Sequence, residues 1–84
     1  MESNNVRQTL EDFVRQEFLL DRPNMILTDE YPLIQEGVID SLGIFVIISF
    51  IDDTFGVKIS PDDVVLDHFE NINAMVELVE QKRA

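Results

Sequence analysis

Hydrophobic positions recur at three- and four-residue spacing along most of the chain, and nowhere do they alternate for long enough to build a sheet. Val6, Leu10, Phe13, Val14 and Phe18 make one stripe and predict a first helix over about residues 4 to 20. Asn5 and Gln8 have the spacing of a capping box, with asparagine in the serine or threonine place. Arg22-Pro23 predicts the stop, because proline disfavours helical geometry in the residue before it. Ile44, Ile47, Ile48, Ile51 and Phe55 predict a second helix over about Ser41 to Phe55, closed by Gly56 in the left-handed conformation. Val57-Lys58-Ile59 is too short for a sheet and reads as an extended connector. Ser60-Pro61-Asp62-Asp63 has the cap, the first-turn proline and the carboxylates of a helix start, so a short third helix is expected to about Asp67. Asn71 should cap a fourth helix, with Ile72, Met75, Val76 and Val79 on its buried face and Lys82 and Arg83 at its negative end. The expectation is an all-α four-helix bundle with one short member. Ile47, Ile51 and Phe55 are expected to face the first and last helices.

The stretch from Arg22 to Ile39 has no period and is long for a loop in a small domain. It is not a polar linker, since Met25, Ile26, Leu27, Tyr31, Leu33, Ile34, Val38 and Ile39 are apolar. It is expected to lie across the helices and close one end of the core.

A length of 84 residues allows a single domain, residues 1–84, with one core. There is no cysteine, so the fold stands without disulfides and any thiol chemistry must be imported. No apolar run approaches the roughly 18 residues of a membrane span, and MESNNVRQTL lacks the basic flank and apolar centre of a signal peptide. The expected location is the cytoplasm. Charge changes the picture most. Seventeen acidic residues against six basic ones give a net charge of −11, a field that repels nucleic acid and anionic lipid, favours a monomer, and suits partner proteins with basic docking surfaces.

Most site chemistries fail on inspection. A hydrolase elbow needs Gly-x-Ser-x-Gly, and Ile39-Asp40-Ser41-Leu42-Gly43 has isoleucine at the first glycine. His68 is the only histidine, and neither a second histidine nor a cysteine stands with it as a metal ligand. Counted from Asp52 as a calcium loop, position six is Val57 and position twelve Asp63, where glycine and glutamate are required. No catalytic or metal residues are assigned. Ser41 remains, at the junction of the long loop and an apolar helix. Its plainest reading is a helix cap, a role Asp40 could equally fill.

Gly37-Val38-Ile39-Asp40-Ser41-Leu42 resembles the modification motif of the acyl and peptidyl carrier proteins, in which Asp-Ser-Leu opens the second helix. Phe55-Gly56-Val57-Lys58-Ile59-Ser60-Pro61-Asp62-Asp63 is similar to that family's aromatic helix end, connector and acidic third helix. Phe69-Glu70-Asn71-Ile72 is similar to its entry to the last helix. The resemblance implies that Ser41 bears 4′-phosphopantetheine, transferred from coenzyme A by a phosphopantetheinyl transferase, and that the arm's thiol holds a cargo as a thioester. It further implies that Asp40 assists the transferase and its metal and that Leu42 lies beside the arm. A non-catalytic carrier loaded by an acyl- or aminoacyl-activating ligase and unloaded by a downstream synthase or transferase is the expectation. The alternative is an unmodified acidic helical adaptor in which Ser41 only caps the helix.

This sequence departs from the fatty-acid carriers, whose second helix is studded outside with acids. Here the outward face is expected to begin with Gly43, Val46 and Ser49, and charge arrives only at Asp52 and Asp53. Gly43 should weaken the first turn by about 1 kcal/mol relative to alanine. The pattern is closer to a discrete carrier of a polyketide, nonribosomal-peptide or aminoacyl (D-alanyl-like) pathway. Leu42, Phe45, Val46 and Ser49 fall opposite the core stripe, so Leu42, Phe45 and Val46 are candidate partner contacts with Asp52 and Asp53 at the rim.

Overall fold

The computed structural model describes residues 2–83 of the chain. Three α-helices, α1 (Glu2–Phe18), α2 (Ser41–Phe55) and α3 (Ile72–Arg83), surround one core, and no strand occurs among the described residues. The expected third helix is instead two single turns of 3-10 helix, Pro61–Asp63 and Leu66–His68. Between them Val64 and Val65 leave helical geometry (ψ 75° and 149°). A segment this short gains too few hydrogen bonds to offset helix nucleation, so its conformation is set by what anchors it. The anchors are Val64, half-buried, and Phe69, fully buried.

The stripe on α1 buries Val6, Leu10 and Val14 and leaves Phe13 and Phe18 partly covered. Both ends of α1 differ from expectation. The helix begins upstream of Asn5, so Asn5 is not a cap, and Gln8 bonds forward to Asp12 (2.9 Å) rather than back. At the other end α1 stops at Phe18, ahead of Arg22-Pro23. Leu19 turns into the core, and a turn closes with the Arg22 N–H donating to the Leu19 carbonyl (3.0 Å).

The long loop then runs back along α1. Arg15 donates to the Met25 carbonyl (2.9 Å) and Arg7 pairs with Asp29 (3.5 Å), two helical turns away. The loop is bonded to α3 and its entry through Leu33 N–H to the Glu70 carbonyl (2.8 Å) and Asn73 N–H to the Asp29 carbonyl (2.9 Å). Leu27, Leu33, Val38 and Ile39 are buried from it, whereas Ile26 stays in solvent. Gly37 takes φ 79°, and behind it the Val38 and Ile39 amides fold onto the Leu33 carbonyl (2.8 and 3.2 Å), which delivers the chain to α2.

Ile44, Ile47 and Ile51 of α2 join the same core as Val6, Leu10 and Val14 of α1 and Ile72, Met75, Leu78 and Val79 of α3. Phe55 is only half-buried and meets Phe50 edge-on, while Phe50 stacks on Phe13 (centroids 3.9 Å apart). Gly56 ends α2 at φ 69°, and Val57-Lys58-Ile59 is an extended connector with Val57 buried. Asn71 caps α3 by accepting the Ala74 N–H (2.7 Å). Lys82 in the last turn of α3 reaches Asp63 and ties the first 3-10 turn to that helix.

Candidate phosphopantetheine attachment site

Asp40, not Ser41, is the cap of α2. Its carboxylate accepts the Gly43 N–H (2.9 Å), and its carbonyl accepts the Ile44 N–H (3.0 Å), the first bond of the helix. The cap geometry follows from the sequence on either side. Ile39 is buried and pins the chain, Asp40 is extended (φ −112°, ψ −170°), and helical geometry begins at Ser41. Ser41 is therefore the first helical residue, and it is exposed. Its hydroxyl makes no hydrogen bond among the described residues. The amides of Ser41 and Leu42 lie in the first turn, where the helix has no carbonyls to offer them, at the positive end of its dipole.

Gly43 forms the floor of this junction. It is buried, contrary to its expected outward place, and a Cβ there would stand 3.0 Å from both Ile39 Cγ2 and Phe18 Cε1. Glycine lets the α1 end pack close under the start of α2. The propensity cost expected of Gly43 is thus set against a close approach that a side chain would obstruct. Gly43, Ile47 and Ile51 share one line at four-residue spacing, which is the signal in the sequence that places Gly43 inside.

Three other expected residues, Leu42, Phe45 and Val46, are in solvent, with exposures of 75%, 59% and 43%. The long loop does not cover them. Across from them stand two that the sequence reading missed, Val65 (45%) between the two 3-10 turns and Leu66 (60%) at the start of the second. Their sign in the sequence is an apolar pair set between Asp62-Asp63 and Asp67, ahead of the core residue Phe69. A groove of about 220 Å³ runs between Ser41, Ile44 and Phe45 on one side and Val64, Val65 and Leu66 on the other. It continues past Phe45 and Val64 into an apolar hollow of about 320 Å³ against Ile48, Ile59 and Pro61.

The rim acids are not alike. Asp53 is exposed, whereas Asp52 is half-buried and paired with Lys58 (3.0 Å). Asp63 accepts from Lys82 and from the Ser60 hydroxyl (2.7 Å), and these bonds, Lys82 first, hold its carboxyl below the ordinary aspartate range. Ser60 thus bonds the Asp63 side chain instead of capping the backbone. His68 is half-buried in the second 3-10 turn, and the described residues contain no group of three His, Asp or Glu side chains that could hold a metal. No described helix is long and apolar enough to cross a membrane.

The residues present fit a phosphate-linked arm on Ser41: a free hydroxyl on the solvent side, first-turn amides next to it, and an apolar groove beginning at its side chain. Comparison with known proteins agrees with that fit. None of the curated proteins compared matches the chain. Among solved structures, a chain from one described as "Crystal structure of FAD-dependent dehydrogenase" is similar, with 29% identity and a TM-score of 0.70. The similarity covers 83% of this chain and 97% of that one, so the two are of nearly the same size. Residues 17–79 match the family described as the phosphopantetheine attachment site, three-quarters of the chain and the whole span from the end of α1 through α2 to the buried face of α3. The chain belongs to the phosphopantetheine-attachment family and is a carrier domain that takes covalent 4′-phosphopantetheine.

Proposed function

We propose that Ser41 is the residue that bears the phosphopantetheine, and that the chain is a non-catalytic carrier of an acyl or aminoacyl group. One observation carries the assignment. Asp40 supplies the helix cap, so the adjoining hydroxyl of Ser41 is exposed and has no structural task. The adaptor alternative gave Ser41 the cap as its role; the cap is Asp40, which leaves that alternative without a task for Ser41. When bound, the group supplies a thiol on a long arm, the one chemistry this cysteine-free chain lacks. The chain's own residues do the rest. Ser41 Oγ is the acceptor of the phosphodiester, the first-turn amides and helix dipole favour the phosphate, and Leu42 flanks the arm. Asp40, fixed as the cap, stands next to the acceptor for the transferase and its metal.

The partners in this reading are a phosphopantetheinyl transferase, a ligase that activates the cargo, and a downstream synthase or transferase, docking on Leu42, Phe45 and Val46. The uncharged outer face of α2 near Ser41 favours a discrete carrier of a polyketide, nonribosomal-peptide or D-alanyl-like pathway over housekeeping fatty-acid synthesis. Cytoplasmic location and a monomeric state belong to the same proposal.

The test is the intact mass after incubation with coenzyme A and a broad-specificity transferase. The wild type should gain one phosphopantetheine and Ser41→Ala none. An Ala variant that is still modified, or a wild type that never is, removes the assignment.

A further inference from the structure

Three phenylalanine rings make a chain between α1 and α2, and none of them is fully buried. Phe18, the last residue of α1, meets Phe13 edge-on (centroids 6.4 Å apart), and Phe13 stacks on Phe50 of α2 (3.9 Å). The edge of the Phe18 ring fills the place under α2 that a side chain on residue 43 would take. A Cβ on Gly43 would lie 3.0 Å from Phe18 Cε1 and 3.3 Å from its Cζ. Gly43 and Phe50 are about two turns apart, so they fall on one flank of α2. The rings therefore hold α2 at two levels, in its first turn and again near Phe50. Ser41 lies two residues before Gly43, about 160° around the helix. Phe18 thus supports the first turn from the side away from the exposed hydroxyl. Gly43 also donates its amide to the Asp40 carboxylate (2.9 Å), so the height at which Gly43 rests is shared by the cap and by Ser41 between them.

We propose that Phe18 is a positioning residue for the modification of Ser41. Through Gly43 it fixes the first turn of α2, so that Ser41 Oγ and the first-turn amides meet the incoming phosphate together. The inference rests on Ser41 being the modified residue. In the transfer the bond from Ser41 Oγ to phosphorus forms as the phosphoanhydride of coenzyme A breaks. Adenosine 3′,5′-bisphosphate leaves with the electron pair, and the hydroxyl proton passes to solvent. The acceptor must stand in line with the breaking bond, and a misplacement on the order of 1 Å costs up to about a hundredfold in rate. A ring that only filled space would affect stability and leave this step alone.

The experiment uses the full chain, a purified broad-specificity phosphopantetheinyl transferase, coenzyme A and Mg²⁺. It reads kcat and KM for the carrier, with circular dichroism and urea midpoints as the measure of fold. Phe18→Leu keeps an apolar group but lacks the ring atoms that reach Gly43, and should lower kcat about tenfold with KM within about twofold. Gly43→Ala disturbs the same contact from the other side and should also lower kcat. In the double variant the new methyl enters the room the ring vacates, and kcat should return to within about threefold of wild type. Val79→Ala opens a void in the core of α3, and should lower the urea midpoint while leaving kcat within about twofold. Amide hydrogen exchange reads the support without turnover: Phe18→Leu should speed Gly43 and Ile44 more than the amides of α3. Unchanged kcat in folded Phe18→Leu, a double variant worse than both singles, or a kcat that simply follows the urea midpoint through Val79→Ala would overturn the inference. So would exchange that quickens equally in α2 and α3. A wild-type chain that gains no mass, or a Ser41→Ala chain that does, would instead overturn the assignment of Ser41, and this positioning role with it.

Discussion

Asp40 and Ser41 are neighbours with separate duties, and substitution should part them. Asp40→Ala removes the carboxylate that accepts the Gly43 amide and should cost about 1 kcal/mol of stability. Ser41→Ala removes only an exposed hydroxyl and should change stability by no more than about 0.5 kcal/mol. Urea unfolding followed by circular dichroism checks the pair, and a larger loss in Ser41→Ala than in Asp40→Ala would return the capping role to Ser41. Gly43 sets a third constraint at this junction. Gly43→Leu must displace Phe18 or Ile39, and should destabilise the chain by about 1–3 kcal/mol in the same measurement. The Asp-Ser-Leu run makes the candidate site legible in the sequence, because the proposed chemistry lies in three adjacent residues. The division of labour within it was not legible. Either side chain can cap a helix, and which one does depends on where buried Ile39 fixes the chain.

Among the elements, α2 and α3 follow from the sequence because local chemistry marks their ends. Asp40 and Gly56 bound one, and Asn71 opens the other. Asn71→Ala should cost about 1 kcal/mol, since the Ala74 amide then loses its acceptor. Amide hydrogen exchange should show the loss first in the opening turn of α3. The C-terminal end of α1 departs from the sequence expectation because the Arg22-Pro23 stop comes after the helix has already finished. Leu19 gains more from the core than from another helical turn, and no local signal reports that. The 3-10 turns escaped for a related reason. The Ser60-Pro61-Asp62-Asp63 start signal is real, but a helix also needs length, and here tertiary anchors at Val64 and Phe69 decide the backbone.

At the scale of the whole molecule, four of the six basic residues are engaged within the chain. Arg7, Arg15, Lys58 and Lys82 all pair within the chain, with Asp29, Glu11, Asp52 and Asp63. The excess of acid is plain in the sequence, but these pairings are not, because Arg7–Asp29 and Lys82–Asp63 join distant parts of the chain and Lys58–Asp52 forms only once the chain turns back at the end of α2. Asp63 makes the acid limb of stability testable. Its folded pKa lies below the ordinary value through its bonds to Lys82 and Ser60. Its contribution is therefore full above the ordinary aspartate range, about pH 4, and is lost as pH falls through the lower folded value. Thermal melts of wild type and Asp63→Asn should differ at neutral pH, and the gap should close as pH drops below about 4.

The apolar groove beside Ser41 has a colloidal consequence. A sticky strip on so small a body invites flocculation, and like charge between molecules keeps the strips apart. That protection is itself a titration. As the pH falls toward the isoelectric point of about 4.1, net charge and long-range repulsion fade while the strip of Phe45, Val46, Val65 and Leu66 is unchanged. Light scattering should rise there, and serine in place of Phe45 and Leu66 should move the onset to lower pH. The acidity of this chain thus acts as a dispersant, one that lets a wet, exposed apolar strip persist at neutral pH without a lid.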